Sequence, residues 1–115
     1  MAKKTPYLHT EKLALYEKLV AMLSGIERKG VSMPYTSFNG HMFSFLDPEG
    51  HLSLRMAEKE RLEMISAYKA GHSIQHGVVM KEYVMVPDEL LHDPKKLKPF
   101  LDASLTYIKT LRPKT

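Results

Sequence analysis

Residues 35–56 (YTSFNGHMFSFLDPEGHLSLRM) predict a β-hairpin, and this hairpin constrains the fold more than any other stretch of the chain. Two runs rich in apolar residues, HMFSFL and HLSLRM, flank the turn Asp47-Pro48-Glu49-Gly50. An Asp at the first turn position can bond to the backbone, a Pro sets the φ that the second position needs, and a Gly suits the last. Strands joined by such a short turn pair antiparallel, so the fold must contain antiparallel sheet.

The alternation of residue types within the hairpin assigns its side chains to two faces of a sheet. In the second run, three apolar residues share one face and three polar residues share the other: Leu52, Leu54 and Met56 against His51, Ser53 and Arg55. In the first run, Phe43 and Phe45 share one face, and Met42, Ser44 and Leu46 share the other. We therefore expect the helices to pack mainly on one face of the sheet.

Apolar periodicity and end signals predict the remaining elements. They are a helix over residues 10–24, a strand over 31–38, a helix over 57–69, a strand over 78–86, a short helix starting at Pro87 and a final helix over 98–111. Pro34 cannot donate to a ladder, so the strand over 31–38 is expected to be an edge strand or to start late. Pro99 is expected to start or kink the final helix, and residues 72–77 to be irregular or weakly extended. The result is an α+β fold with an antiparallel or mixed sheet of four to five strands and three main helices, in the order α-β-β-β-α-β-α.

Apolar stripes on these elements predict core positions. The inner stripe of the second helix is expected to contain Leu62, Ile65 and Tyr68 or Lys69. Methionine fills irregular gaps in cores, and Met22, Met56 and Met64 fit apolar stripes. The alternative is that some of the eight methionines form an adaptable exposed surface.

The length of 115 residues predicts a single domain over residues 1–115, with loosely ordered tails at 1–9 and 112–115. The absence of cysteine excludes disulfides, zinc–thiolate sites and thiol nucleophiles. The start of the chain, MAKKTPYLHTEK, lacks the apolar run of a signal peptide, and no apolar segment is long enough to span a bilayer. A cytoplasmic protein is therefore expected.

The formal net charge of +4 would favour a nucleic-acid partner, but the excess charge lies near the two ends of the chain. Lys3, Lys4, Arg112 and Lys114 are basic, whereas residues 7–111 hold 13 basic and 13 acidic side chains. A phosphate-binding surface requires basic residues concentrated on the folded domain. We therefore expect no specific nucleic-acid partner and no membrane partner.

No catalytic, metal-binding or cofactor motif with the required spacing occurs in the sequence. His72 and His76 have an i, i+4 spacing, but Gly71 and Gly77 bracket them, so a helix is not expected to present both to a metal. His41 and His51 are expected to face each other across the hairpin as a surface pair. The serines lack a G-x-S-x-G elbow, and no glycine-rich stretch is followed by the Lys-Ser/Thr of a phosphate-binding loop. The sequence therefore predicts no enzyme, no metal and no cofactor.

Two stretches, FNGHMFSFLDPEGHLSLRMAEKERLE and MKEYVMVPDELLHDPKKLKPFLDASLTY, resemble a known family. Five features follow one another in these stretches: a Gly-Met-Phe element, a hairpin to a Leu-rich strand, a helix containing Arg, a strand ending in Tyr-x-x-Val-Pro and a helix with Leu-x-Pro-aromatic. This order is similar to that of the N-terminal domain family of the competence regulator TfoX. The matching residues are Gly40, Met42, Phe43, Leu52, Leu54, Arg61, Tyr83, Val86, Pro87, Leu97, Pro99 and Phe100.

The resemblance covers about residues 31–111 and implies a small α+β domain, associated in some members with the regulation of DNA uptake. It implies no catalytic residues. The chain departs from the family where SMPYTSFNGHMF stands in place of a stretch of the Arg-x-Met-Phe-Gly-Gly type.

These observations predict a small regulatory or adaptor module that acts through contacts with a protein partner. The first alternative is a nucleic-acid-binding accessory protein. The second is a small-ligand-binding domain or unrecognised enzyme that uses the polar face of the sheet. The candidate interaction surface consists of His51, Ser53, Arg55, Tyr83 and Met85.

The strand predicted over residues 78–86 is apolar on both faces, so something must cover its second face. One face carries Val79, Tyr83 and Met85, and the other carries Val78, Met80, Val84 and Val86. The cover is expected to be either the first helix of the same chain or the partner subunit of a homodimer, since closed two-fold assemblies are the commonest oligomers.

Overall fold

The computed structural model describes residues 7–75 and 77–113. Over these residues the chain forms four helices and five strands: α1 (Thr10–Val20), β1 (Tyr35–Phe38), β2 (His41–Leu46), β3 (Leu52–Arg55), α2 (Glu58–Tyr68), β4 (Gly71–Gln75), β5 (Val78–Met85), α3 (Asp88–Leu91) and α4 (Pro94–Thr110). All the strands pair antiparallel, in the order β1-β2-β3-β5-β4. The predicted α+β fold and the element order are confirmed. Helix α3 is the short helix predicted from Pro87, and β4 is an additional strand.

The turn between β2 and β3 has the hydrogen bonds that its residues predict. The backbone N–H of Gly50 donates to the carbonyl of Asp47 at 3.0 Å. The Asp47 carboxylate accepts from the backbone N–H of Glu49 and of His51, both at 2.9 Å. Gly50 has a φ of +87°, a left-handed value that favours glycine.

We expect Gly50→Val to lower the free energy of unfolding by about 2 kcal/mol, because a β-branched residue resists positive φ. A Cβ at this position would also lie 3.2 Å from Cγ of His9. Urea unfolding followed by circular dichroism measures the change. An unchanged midpoint would contradict this account of the turn.

The helices pack on one face of the sheet, which we call the helix face. Ser44, Leu54 and Val84 are neighbours across β2, β3 and β5 on this face. The hydroxyl of Tyr16 in α1 bonds the hydroxyl of Ser44 at 2.5 Å, which joins α1 to the sheet through a buried polar contact. The buried residues of this core are Tyr7, Tyr16, Leu19, Val20, Leu23, Phe43, Leu46, Leu52, Leu54, Met56, Met64, Val84, Val86, Leu90, Leu91, Leu97, Leu101 and Ile108.

The opposite face of the sheet, which we call the second face, is covered by β4. Met85 pairs with Ser53 of β3 on one side and with Gly71 of β4 on the other. In a flat sheet Ser53 and Gly71 would therefore be about 10 Å apart, and Ser73 would be farther from Ser53 than Gly71 is. The hydroxyls of Ser53 and Ser73 are nevertheless 2.8 Å apart. The strand therefore bends over the second face, at the irregularity between His72 and Ser73.

The first helix, one of the two covers expected for this face, does not lie on it. It packs against α3 and α4 on the helix face. The bent β4 takes its place and continues to the β2–β3 turn, where the side-chain amide of Gln75 donates to the Asp47 carboxylate at 3.4 Å. Residues 72–77 were predicted to be irregular or weakly extended, and the extended alternative holds for residues 72–75, which belong to β4.

A β-bulge changes the predicted faces of β2. Thr36 pairs with Ser44 and Ser37 pairs with Met42, so Phe43 is the extra residue. Phe43 enters the core on the helix face, whereas Phe45 contacts Tyr83 on the second face, with ring centroids 5.5 Å apart. The prediction that the two phenylalanines share a face is wrong, because alternation does not hold across a bulge.

Two strand and helix boundaries near prolines differ from those predicted. The strand expected from residue 31 begins at Tyr35, because Pro34 has no N–H for the ladder. The helix expected from residue 98 begins at Pro94, with Pro99 inside it. Pro99 and Lys95 lie on the exposed side of α4, where water can bind the Lys95 carbonyl that the proline leaves free.

Two predicted core positions are exposed instead. Met64 is fully buried on α2, and Leu62, about 200° away around the helix, is 53% exposed. Met22 is 40% exposed because α1 ends at Val20 and the chain then turns away from helical geometry. Met56 and Met64 do lie in the core, as predicted.

The part of the N-terminal tail that the structure describes is held against the β2–β3 turn, although residues 1–9 were expected to be loose. Tyr7 is buried, and its hydroxyl donates to the Asp47 carbonyl at 2.5 Å. Burial and then the charge of Asp47 raise the pKa of Tyr7 to about 12. Residues 1–6 and 114–115 lie outside the described residues.

Candidate functional site

The structure brings four of the five predicted interaction residues together but does not leave them as one exposed surface. Ser53 pairs with Met85, and Arg55 pairs with Tyr83, in adjacent positions on the second face. Ser53 is fully buried beneath Ser73. Tyr83 is largely buried, and its hydroxyl donates to the Met42 carbonyl at 2.7 Å.

Arg55 is occupied by an ion pair with Glu82. Its Nη2 lies 2.6 Å and its Nε 2.8 Å from the same Glu82 carboxylate oxygen, and the hydroxyl of Tyr107 donates to the other oxygen. Partial burial acts to raise the pKa of Glu82, but the hydrogen bonds from Tyr107 and Arg55 outweigh it and lower that pKa. The bond to Glu82, with desolvation, raises the pKa of Tyr107. The side chains of Arg55, Glu82 and Tyr107 therefore satisfy one another's hydrogen-bonding groups.

We expect Glu82→Gln to lower the free energy of unfolding by about 1 kcal/mol at neutral pH, and by less in acid. The pKa of Glu82 lies below its ordinary 4.5 in the folded chain, so the charged form stabilises the fold above pH 4.5. That contribution is lost as the pH falls through the folded pKa. Urea unfolding at neutral pH and at about pH 3 measures it, with Glu63→Gln on the exposed side of α2 as the control. An equal effect of Glu82→Gln at both pH values would contradict the assignment.

His51 lies at the β2–β3 turn. Of the other four residues, only Met85 lines the same cleft as His51. Its Nδ1 is 3.7 Å from the Asp47 carboxylate, is buried and has no hydrogen-bond partner among the described residues. The ring lies beside a cleft of about 280 Å³, whose lining includes Lys69 and Asp88. At this distance the Asp47 carboxylate does not hydrogen-bond the ring, so it does not fix the orientation of Nε2.

The remaining histidines are separate from one another. His41 bonds the carbonyl of Arg112 at 2.6 Å and lies at the far end of β2 from His51, which corrects the expected cross-strand pair. His72 is exposed, and its predicted neighbour His76 lies outside the described residues. Within residues 7–75 and 77–113, no three His, Asp or Glu side chains are grouped to hold a metal ion. No helix in the same ranges is long and apolar enough to cross a membrane.

We expect the chain trimmed to residues 7–111 to bind duplex DNA no better than a neutral protein at physiological salt. This part holds 13 basic and 13 acidic side chains, so few counterions would be released on binding. Fluorescence anisotropy with a labelled duplex measures the affinity, and the full-length chain reports what the tails add. Micromolar binding that persists without the tails would sink the prediction.

The β1 edge of the sheet is bonded to a further segment at one residue, Tyr35, and the β4 edge at none of its described residues. At the β1 edge, the Lys29 N–H donates to the Tyr35 carbonyl at 2.7 Å, and the Tyr35 N–H donates to the Lys29 carbonyl at 2.9 Å. At the β4 edge, Gly71–Gln75 makes backbone hydrogen bonds to β5 and to no other described residue. Alternate residues of an antiparallel strand turn their N–H and C=O groups away from the partner strand. These groups face away from β5 along β4, where Gly71, His72 and Ile74 are exposed and Ser73 is fully buried.

Three aliphatic side chains are exposed beside the open edge: Ile74 at 55%, Val78 at 64% and Val79 at 49%. Ile74 and Val79 are directly opposite each other in the register of β4 and β5. We call the outer backbone of β4, together with Ile74, Val78 and Val79, the β4 edge surface.

Sequence reasoning missed this surface because it did not assign residues 72–75 to a strand. The missed signal is a two-residue connection, His76-Gly77, between HSIQ and VVMK. Two short runs with β-branched residues, separated by two residues that include Gly, are typical of a β-hairpin.

Comparison with family models, with curated proteins and with solved structures found no match to this chain.

Proposed function

We propose that this protein is a small regulatory or adaptor module that acts through protein–protein contacts made by its β4 edge surface. The observation that carries the proposal is a sheet edge without a backbone bond to a further strand among the described residues, bordered by three exposed aliphatic side chains. An added strand gains main-chain hydrogen bonds from such an edge, and neighbouring apolar side chains add burial. The resemblance to the N-terminal domain family of TfoX supports a regulatory role.

The described residues support the two alternative functions less well. A ligand site on the polar face of the sheet would need free polar groups, but Ser53 is buried beneath Ser73 and Arg55 is paired with Glu82. A nucleic-acid surface would need a local excess of basic residues. Four basic residues of the chain are instead neutralised in ion pairs: Lys12, Arg28, Arg55 and Lys98. Neither alternative has a surface comparable to the β4 edge surface.

Site-specific photo-crosslinking in cells tests the proposal. A photoreactive residue is placed at Ile74, at Val79, or at the control position Leu62, which is equally apolar and 53% exposed but lies on α2. We expect a discrete crosslinked protein from positions 74 and 79 and none from position 62. The same pattern at all three positions, or no crosslink at any, would contradict a function through this edge.

A further inference from the structure

We propose that a cavity between the β2–β3 turn and β4 binds an arginine side chain of the partner protein. The cavity has a volume of about 220 Å³ and is lined by Asp47, Pro48, Glu49, Ile74, Gln75 and Met85. Ile74 also belongs to the β4 edge surface, so one partner can contact both. The inference rests on the proposed function, because it names a side chain of the protein that the β4 edge surface binds.

The size and the opening of the cavity suit a single side chain. Pockets for drug-sized molecules have volumes of about 300–1,000 Å³, which is more than this cavity offers. Its lining reaches solvent at Glu49, whose side chain is 81% exposed, and at Ile74, which is 55% exposed. A side chain of a protein bound at the β4 edge surface can therefore enter it.

The lining is negative, which sets the charge of the ligand. It contains the carboxylates of Asp47 and Glu49 and, among the described residues, no Lys, Arg or His. His51 lines the neighbouring cleft, and its Nδ1 is 3.7 Å from the Asp47 carboxylate and 4.0 Å from that of Glu49, too far to hydrogen-bond either. A cation is therefore the complementary ligand. It is not a bare metal ion, since no three His, Asp or Glu side chains of the described ranges are grouped to hold one.

A buried oxygen of Asp47 has room for a further donor. The Asp47 side chain is only 4% exposed. Its Oδ1 accepts two backbone N–H groups at 2.9 Å, whereas its Oδ2 accepts one bond, from the Gln75 amide at 3.4 Å. That distance is beyond the ordinary range of N–H···O bonds, and a carboxylate oxygen can accept two. A buried charged oxygen with so weak a partner favours a cationic donor beside it.

Arginine meets these acceptors better than lysine does. The two carboxylates lie within 4.0 Å of the same His51 nitrogen, so one planar guanidinium, with five donors, can reach both. A guanidinium is also more weakly hydrated than an ammonium, so it enters a partly enclosed cavity more readily. The aliphatic stem of the arginine would pack against Ile74 and Met85, which form an apolar part of the lining.

Titration of the isotope-labelled full-length chain with N-acetylarginine amide, followed by NMR at constant ionic strength, tests the site directly. We expect saturable shifts of the Gln75 side-chain amide and of the Glu49 backbone amide. The citrulline analogue has the same shape without the charge and should bind at least about tenfold more weakly. Glu49→Gln should weaken the arginine probe about tenfold, and Glu63→Gln, on the exposed side of α2, should not change it.

Crosslinking in cells tests whether the partner uses the site. The photoreactive residue is placed at Val79, outside the cavity lining, and is combined with Glu49→Arg or with the control Glu63→Arg. We expect Glu49→Arg to reduce the crosslinked product at least about tenfold, because two cations would meet, and Glu63→Arg to leave it unchanged. Mass spectrometry of the product should locate an arginine close to the crosslinked residue of the partner.

The outcomes separate this inference from the function that it rests on. The absence of a saturable shift would overturn the arginine site, and so would equal binding of the citrulline probe or of N-acetyllysine amide. A crosslink from position 79 that persists in Glu49→Arg would overturn it as well, although the function of the β4 edge surface would stand. If position 79 captures nothing even with Glu49 in place, both proposals fall.

Discussion

Replacing Gly30 with alanine will lower the free energy of unfolding by about 3 kcal/mol. Gly30 has a φ of +81°, and a Cβ there would overlap the carbonyl oxygen of Met33 and lie 3.1 Å from Cδ1 of Tyr35. The obstacle is backbone, which cannot move aside as a flexible side chain can. The loop must therefore shift, and with it the two hydrogen bonds between Lys29 and Tyr35 at the β1 edge.

The matched control for this substitution is Gly25→Ala. Gly25 has a similar φ of +76°, but no atom lies within 4 Å of an added Cβ. We expect this variant to lose about 1 kcal/mol, the cost of the left-handed backbone alone. Urea unfolding followed by circular dichroism gives both values, and equal losses would mean that the contact with Met33 is not the cause.

A second consequence of Gly30→Ala concerns association. When Lys29 no longer bonds Tyr35, the part of the β1 edge without an outer partner becomes longer, and a sheet with two open edges can propagate. We expect the folded fraction of this variant to form larger assemblies than the wild type at the same concentration, as measured by light scattering. Gly25→Ala should not differ from the wild type.

Asp47→Ala is expected to lower the free energy of unfolding by about 3 kcal/mol, because it leaves two turn N–H groups without their acceptor. Asp47 is 3% exposed. Its carboxylate accepts from the backbone N–H groups of Glu49 and His51 and lies 3.4 Å from the side-chain amide of Gln75. The turn, the N-terminal segment and β4 all meet at this residue. Loss of the carboxylate therefore weakens the contact with Gln75 as well as the hairpin, whereas Tyr7 bonds the backbone carbonyl, which alanine retains.

Asp47→Asn separates the two roles of the side chain. An amide oxygen can accept the same two backbone hydrogen bonds, so we expect a loss of only about 1 kcal/mol. Thermal and urea unfolding compare the two variants. If asparagine is as costly as alanine, the charge of Asp47 and not its hydrogen bonds holds the turn.

The sequence alone determined the elements whose causes are local. The turn residues Asp47 to Gly50 specify the β2–β3 hairpin through short-range hydrogen bonds and the φ of glycine, and the structure has these bonds. Helical periodicity likewise accounts for the buried stripe of α4, which contains Leu97, Leu101 and Ile108, since residues three and four apart share a helix face.

The tertiary structure decided what depends on distant partners. Strand β4 is weakly marked in the sequence because GHSIQ gains its order from pairing with β5, and its bend over Ser53 needs three strands to be in place. The bulge at Phe43 likewise depends on the register with β1, and it reverses the face that alternation predicts.

The candidate site shows the same division. Alternation correctly places Ser53, Arg55, Tyr83 and Met85 on one face, but exposure is a property of the assembled sheet, and β4 buries that face. The open edge and the exposed Ile74 beside it follow from which strand ends the sheet. Strand order is set by long-range pairing, whose energy is not encoded in any single stretch of residues.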